Sequence, residues 1–120
     1  MRSKWISYKG VKIFFRHYDN MDASSLRLEV AACEDIICKE PERSVLILTD
    51  VRGTLNTHET TDIYKKSATN TRCYVKKSAV VGIGLSGPSK LLFDLIMKFS
   101  GQNAIPFKDL QKAKDWLVLD

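Results

Sequence analysis

Residues 45–51 read VLILTDV, four apolar side chains in a row followed by Thr49, Asp50 and Val51. A run this short and continuous suits a strand covered on both faces, because a half-exposed strand alternates apolar with polar residues. Strands of that kind belong to parallel sheets, whose crossover helices coat the faces. The surroundings agree: Pro41 precedes the run and Arg52-Gly53 breaks it, and both are turn signals.

Toward the N-terminus, residues 24–39 read as a helix, with Leu26, Val30, Cys33 and Ile37 spaced four, three and four apart. Pro41 ends it. Cys33 falls on the apolar stripe and Cys38 does not, so the two are not a natural pair. The stretch Asp19-Asn20-Met21-Asp22 supplies turn and cap residues. Two strands come before it, 5–8 and 11–18, joined through Lys9-Gly10 as a hairpin. The second alternates Val11, Ile13 and Phe15 against Lys12, Phe14 and Arg16, the pattern of a half-buried strand.

Toward the C-terminus, a helix over 57–71 starts with Thr57 as N-cap and Thr60 at the third helical position. A strand over 78–85 follows. Ser86-Gly87-Pro88 then opens a helix that Gly101 ends, with proline where its missing N–H does no harm. Residues 103–107 form a last strand. Asp109 caps a final helix with Leu110, Ala113, Trp116 and Leu117 on one face. The order β-β-α-β-α-β-α-β-α predicts one α/β domain over 1–120, a mixed, mostly parallel five-stranded sheet with packed helices.

Composition bounds the function. A chain of 120 residues, 44% hydrophobic and 28% charged, is ordinary for a soluble globular domain. It has no run approaching the roughly 18–20 apolar residues of a membrane span, and its start, MRSKWISYKG, lacks the apolar core of a secretory signal. Cys33, Cys38 and Cys73 are odd in number and lack metal-ligand spacing, which points to a reduced cytoplasmic protein with no metal and no cofactor. The net charge is +5, and Lys65, Lys66, Arg72, Lys76 and Lys77 cluster where no acid stands between Asp62 and Asp94. This is a solvated basic edge or an anion-binding surface. Nucleic acid is disfavoured, because aromatic residues are not interleaved with the cluster.

Residues 80–90, VVGIGLSGPSK, carry the spacing Gly82-x-Gly84-x-x-Gly87. A dinucleotide fingerprint needs several βα units beyond it, and only about 30 residues follow Gly87. A Walker A loop fails because Pro88-Ser89 stand in place of its Lys-Ser/Thr pair. The glycines read instead as close packing at Gly82 and Gly84 and a turn at Ser86-Gly87, whose helix start could still attract an anion. In the helix behind it, Lys90, Asp94 and Lys98 form one narrow polar stripe and the rest is apolar. Such a helix is expected to bury a second face. Leu92, Phe93, Ile96, Met97 and Phe99 would then meet a neighbouring helix, a second copy of the chain, or an apolar ligand.

The segments LILTDVRGT (47–54), YVKKSAVVGIGLSG (74–87), MKFSGQNAIPF (97–107) and KAKDWL (112–117) together resemble the SpoIIAA-like proteins of bacteria and archaea. These are also described as STAS-like (sulphate transporter and anti-sigma antagonist) domain proteins. The resemblance covers nearly the whole chain. It implies the fold shared by anti-sigma antagonists and CRAL-TRIO lipid-transfer domains, and with it either partner-protein binding or an apolar pocket for a lipid. The Asp-Ser-Ser-Gly motif that carries the phosphorylated serine in anti-sigma antagonists is absent. Residues 56–59, Asn-Thr-His-Glu, stand there, and Thr57 is their only hydroxyl.

Open α/β sheets bind ligands beyond the carboxyl ends of their strands. That rule selects Asp50, Arg52, Thr54, Asn56, Thr57 and His58, with Lys76, Ser86 and Gly87 as further anion contacts. An Asp50–His58 acid–base pair is conceivable, but no nucleophile with a base and an orienter is visible. An Asp50–Arg52 contact would instead be structural. His17, ending an early strand, reads as exposed. The expected function is a non-catalytic interaction module acting as a homodimer or on an unidentified regulatory protein. The alternative is a carrier for a lipid or anionic small molecule, its head near Arg52, Lys76 or the Ser86-Gly87 turn.

Overall fold

The structure, a computed structural model, describes residues 1–83 and 87–119, and only the backbone at 88, 89 and 99. Its elements are β1 (Lys4–Tyr8), β2 (Val11–His17), α1 (Ala23–Ile37), β3 (Val45–Asp50), α2 (His58–Thr71), a short 3-10 turn (Arg72–Tyr74), β4 (Val75–Val81), α3 (Pro88–Ser100), β5 (Ala104–Phe107) and α4 (Leu110–Leu117). They follow the expected order and form one α/β domain.

The sheet runs β1-β2-β3-β4-β5, with β1 antiparallel to β2 and the remaining neighbours parallel. Lys9 (φ 51°) and Gly10 (φ 76°) make the tight turn of the opening hairpin, where two positive φ values match the twist of the strands. Parallel strands laid down in sequence order by crossovers of one hand put every connecting helix on the same face. Accordingly α1 and α2 pack on Phe14, Val45 and Ile47, and α3 on Val80 and Ala104. The last helix, α4, takes the other face, where Ala113 and Leu117 meet Ile13, Leu46, Leu48, Ala79 and Val81.

Coverage on both sides overturns the half-buried reading of β2. Phe14 and Arg16 are as buried as Ile13 and Phe15. The other shifted element is β4, which spans Val75–Val81 rather than 78–85. Its start is disguised because Val45 pairs with Val75 but Leu46 with Lys77, so Lys76 is an inserted bulge residue. Lys77 then reaches α4, donating to the carbonyls of Trp116 (3.0 Å) and Leu119 (2.6 Å) at that helix's C-terminus.

The caps read from sequence form. Asp22 accepts from the Ser25 amide, Asp109 from the Lys112 amide, and Thr57 and Thr60 form a reciprocal capping box. Cys33 is fully buried, and all three cysteines are unpaired. Glu29 is buried as well, and its carboxylate accepts from the amides of Arg2 (3.0 Å) and Ser3 (2.7 Å), tying the N-terminus to α1. No helix of the described residues is long and apolar enough to cross a membrane.

Candidate ligand-binding cavity

Beneath α2 and α3 the sheet does not meet a continuous apolar surface. A cavity of about 80 Å³ lies there, with Arg16, Tyr18, Thr49 and Ser78 on its floor and Tyr64 and Ser67 of α2 above. Leu92, Phe93, Ile96 and Met97 of α3 form its apolar wall. Local sequence explains the space. The inward stripe of α2 carries Thr60, Tyr64, Ser67 and Thr71, at helical spacing but rich in hydroxyls. On the floor, Ser78 and Ala104 are small, leaving volume that a larger side chain would fill.

Arg16 dominates the electrostatics. It is only 8% exposed, its Nε donates to Thr49 Oγ1 at 2.8 Å, and its guanidinium carbon lies 5.2 Å from the centre of the Tyr18 ring. Among the described residues no carboxylate forms an ion pair with it. Glu29, the buried carboxylate on this face, is occupied by the Arg2 and Ser3 amides. Three hydroxyls lining the same cavity, Tyr64 OH, Ser67 Oγ and Ser78 Oγ, are buried with no hydrogen-bond partner among the described residues, and Tyr18 OH has the Cys33 thiol beside it. Burial pushes the Tyr18 phenol well above its ordinary value and the Tyr64 phenol up to about 12, against the lowering effect of Arg16. Both phenols therefore stay protonated and can donate. Gln102 donates from Nε2 to the Ala68 carbonyl (3.0 Å) and Thr71 Oγ1 (3.4 Å), fastening α2 to the segment entering β5.

Chemically this is a fixed positive charge with neutral donors at one end and hydrocarbon at the other. Among the described residues no Asp, Glu, His or Cys lines it.

The residues singled out from sequence do not assemble into one site. Asp50 and Arg52 form a clamp of their own: the Arg52 backbone N–H (3.0 Å) and Nε (3.0 Å) donate to Oδ1 and Nη2 (2.8 Å) to Oδ2. Burial raises the Asp50 carboxyl, but these bonds and the Arg52 charge outweigh it and hold it below its ordinary range. Asp50 lies beside His17, its partner in the parallel register, and not His58. The His17 ring stacks on Phe15 with centres 4.0 Å apart and is partly covered, so the expectation of an exposed His17 is corrected. His58 begins α2 and faces the outer groove between α1 and α2, so the Asp50–His58 pair does not form. Thr54 Oγ1 donates to the Tyr18 carbonyl (2.5 Å) and accepts from the Met21 amide (3.0 Å), joining two loops. Thr57 is the α2 cap.

Lys76 is exposed at the start of β4, and because β3 and β4 are parallel that is the opposite end of the sheet from Arg52. A shared anion site for the two is thereby ruled out. The basic cluster disperses in the same way: Lys66 pairs with Asp62 (3.8 Å), Arg72 donates to the Ser100 carbonyl (3.4 Å), and Lys77 holds α4. Gly82 (φ 111°) is packed as expected, since a Cβ there would stand 2.7 Å from the Arg52 backbone nitrogen. Gly87 is the α3 N-cap. Gly84, Ser86 and the Phe99 side chain lie outside the described residues.

Of the remaining sequence candidates, Asn56, Leu92, Phe93, Ile96 and Met97 do line the cavity. The second buried face expected for α3 is not complete within the chain, because Leu91 is 67% and Leu95 51% exposed. The residue that sequence reasoning missed is Arg16, together with Tyr18, Tyr64, Ser67 and Ser78. Its signal was present: Arg16 stands between Phe14 and Tyr18 at the two-residue period of a strand face. The chain matches no family model, no curated protein and no solved structure.

Proposed function

We propose that this domain binds a small organic anion with an apolar body in the cavity between its sheet and helices α2 and α3. One observation carries the reading: Arg16 is buried in that cavity without a carboxylate partner among the described residues. A guanidinium cannot shed its proton in a protein, and an uncompensated buried charge costs several kcal/mol. A single hydrogen bond donated to Thr49 Oγ1 recovers only part of that. The hydroxyls of Tyr64, Ser67 and Ser78 add unmet hydrogen-bonding capacity at the same place, and a bound anion would satisfy both needs together.

This is the carrier reading that the STAS-like resemblance also implied, with its anion contact moved to Arg16 from Arg52, Lys76 or the Ser86-Gly87 turn. A cytoplasmic setting belongs to the same reading, supported by three unpaired thiols. A second reading, a partner protein or second copy docked on α3, is favoured by the exposed Leu91 and Leu95, one turn apart.

The test is native mass spectrometry of the gently purified full chain, followed by thermal unfolding against a pool of small organic acids. Wild type is expected to carry an acid or to gain an unfolding midpoint of several degrees from the pool. Arg16→Met should lose that gain, while its ligand-free midpoint stays equal or rises because a buried charge has been replaced by hydrocarbon. If wild type responds to no acid and Arg16→Met is clearly destabilised, Arg16 is structural and the reading fails. Size-exclusion chromatography with light scattering decides the second reading: a strict monomer removes the homodimer.

A further inference from the structure

We infer that the cavity's ligand is a short organic monocarboxylate, with its carboxylate on Arg16 and its hydrocarbon end against α3, an inference that rests on the ligand-binding reading above. Charge sets the first limit. Arg16 is the only charged side chain among the described residues lining the cavity. One negative charge neutralises it, whereas a dianion would leave an excess charge buried, at the same kind of cost as a bare arginine. Phosphate monoesters and dicarboxylates are disfavoured on that ground.

Geometry sets the second limit. Nε is committed to Thr49 Oγ1, which leaves the two terminal nitrogens as a planar edge. A planar acceptor with two oxygens matches that edge with paired, charge-assisted hydrogen bonds. A carboxylate has about four lone-pair positions, so the hydroxyls of Tyr64, Ser67 and Ser78 can serve those the guanidinium leaves over. The tyrosines donate because burial keeps them protonated.

The rest of the ligand is limited by the walls. Val80, Phe93, Ile96 and Met97 offer it hydrocarbon, and no carboxylate among the described lining residues could receive an ammonium, which excludes free amino acids. The volume of about 80 Å³ is roughly half that of a cavity of ~150 Å³ that accepts benzene. The acid therefore has about two or three carbons, and a lipid-length acyl chain does not fit beneath α3.

The experiment is calorimetric titration of the full chain in Tris–chloride with propionate, propionamide, succinate, inorganic phosphate and octanoate. Propionate should bind saturably, with propionamide, succinate and phosphate at least tenfold weaker and octanoate no tighter. Arg16→Lys, which keeps the charge but loses the planar edge, should weaken propionate binding at least tenfold, and Arg16→Met should abolish it. Circular dichroism confirms that both variants are folded, and if either is not, the wild-type ranking decides alone. Phosphate or succinate binding as well as propionate would overturn the monocarboxylate while leaving the cavity reading standing. Tighter octanoate would overturn the chain-length limit. If no compound binds and native mass spectrometry finds no adduct, both the inference and the reading beneath it fall.

Discussion

The two faces of the sheet are built from alternate residues of the same strands, yet they solve different problems. Toward α4, Ile13, Phe15, Leu46, Leu48, Ala79 and Val81 meet Ala113 and Leu117 in a closed hydrocarbon layer. Toward α2 and α3, the intervening positions Arg16, Thr49 and Ser78 place charge and hydroxyls around a cavity. The first face has the composition expected of a part that stabilises the fold. The second gives up such contacts and leaves polar atoms unpaired, the pattern expected where local stability has been traded for binding.

If that division is real, equivalent truncations on the two faces should cost different amounts. Leu48 is fully buried on the α4 face, and Leu48→Ala should lose about 3 kcal/mol, the transfer term plus a newly opened cavity. Ile96 borders the existing cavity, where the side chain already lacks neighbours on one side. Ile96→Ala should cost less, about 1–2 kcal/mol. Urea unfolding of both variants checks the pair, and equal losses would mean that the cavity face is packed as tightly as the other.

How much of this was legible in the sequence depended on which signal each residue carries. VLILTDV announced a two-sided strand because its apolar run is unbroken, and the caps at Asp22, Thr57 and Asp109 were readable because capping is local chemistry. Asp50 and Arg52 were read both as site candidates and as a structural pair, and the geometry supports the pair. Arg16 was not readable in the same way. A charged residue alternating with apolar ones looks solvent-facing until one knows that helices cover both sides of the strand, and that is a consequence of topology. Tyr64 and Ser67 were hidden for a related reason: hydroxyls on a helix look like its wet face, and only the sheet beneath shows them to be inside. Lys76 and Lys77 concealed the start of β4 because a bulge put two lysines where strand residues were needed.

The faces also differ in how their charges are balanced, and pH separates them. Asp50 is paired with Arg52, and its carboxyl is held below the ordinary range. A carboxylate held low contributes stability that is present above its unfolded pKa, near 4. That contribution is lost as pH falls through the lower folded value. Arg52→Met should therefore cost about 1 kcal/mol at neutral pH, a modest figure because Arg52 is more than half exposed and screened. It should also flatten the loss of stability below about pH 4. Urea unfolding at a series of pH values measures both. An unchanged acid limb would show that other carboxylates dominate it.

The smallest expected effect tests the cavity face most directly. Ser78 is fully buried and its hydroxyl finds no partner among the described residues. In an ordinary core Ser→Ala would break a hydrogen bond and lose about 1 kcal/mol. Here there is none to break, so Ser78→Ala should leave the ligand-free protein unchanged or more stable by up to about 1 kcal/mol, by relieving a desolvated hydroxyl. The same change should weaken binding of the anion a few-fold, because one of its donors is gone. Thermal unfolding with and without propionate reads both quantities on one sample. A destabilised variant with unaltered binding would mean that Ser78 serves the fold, and the cavity face would then differ from the α4 face in composition but not in purpose.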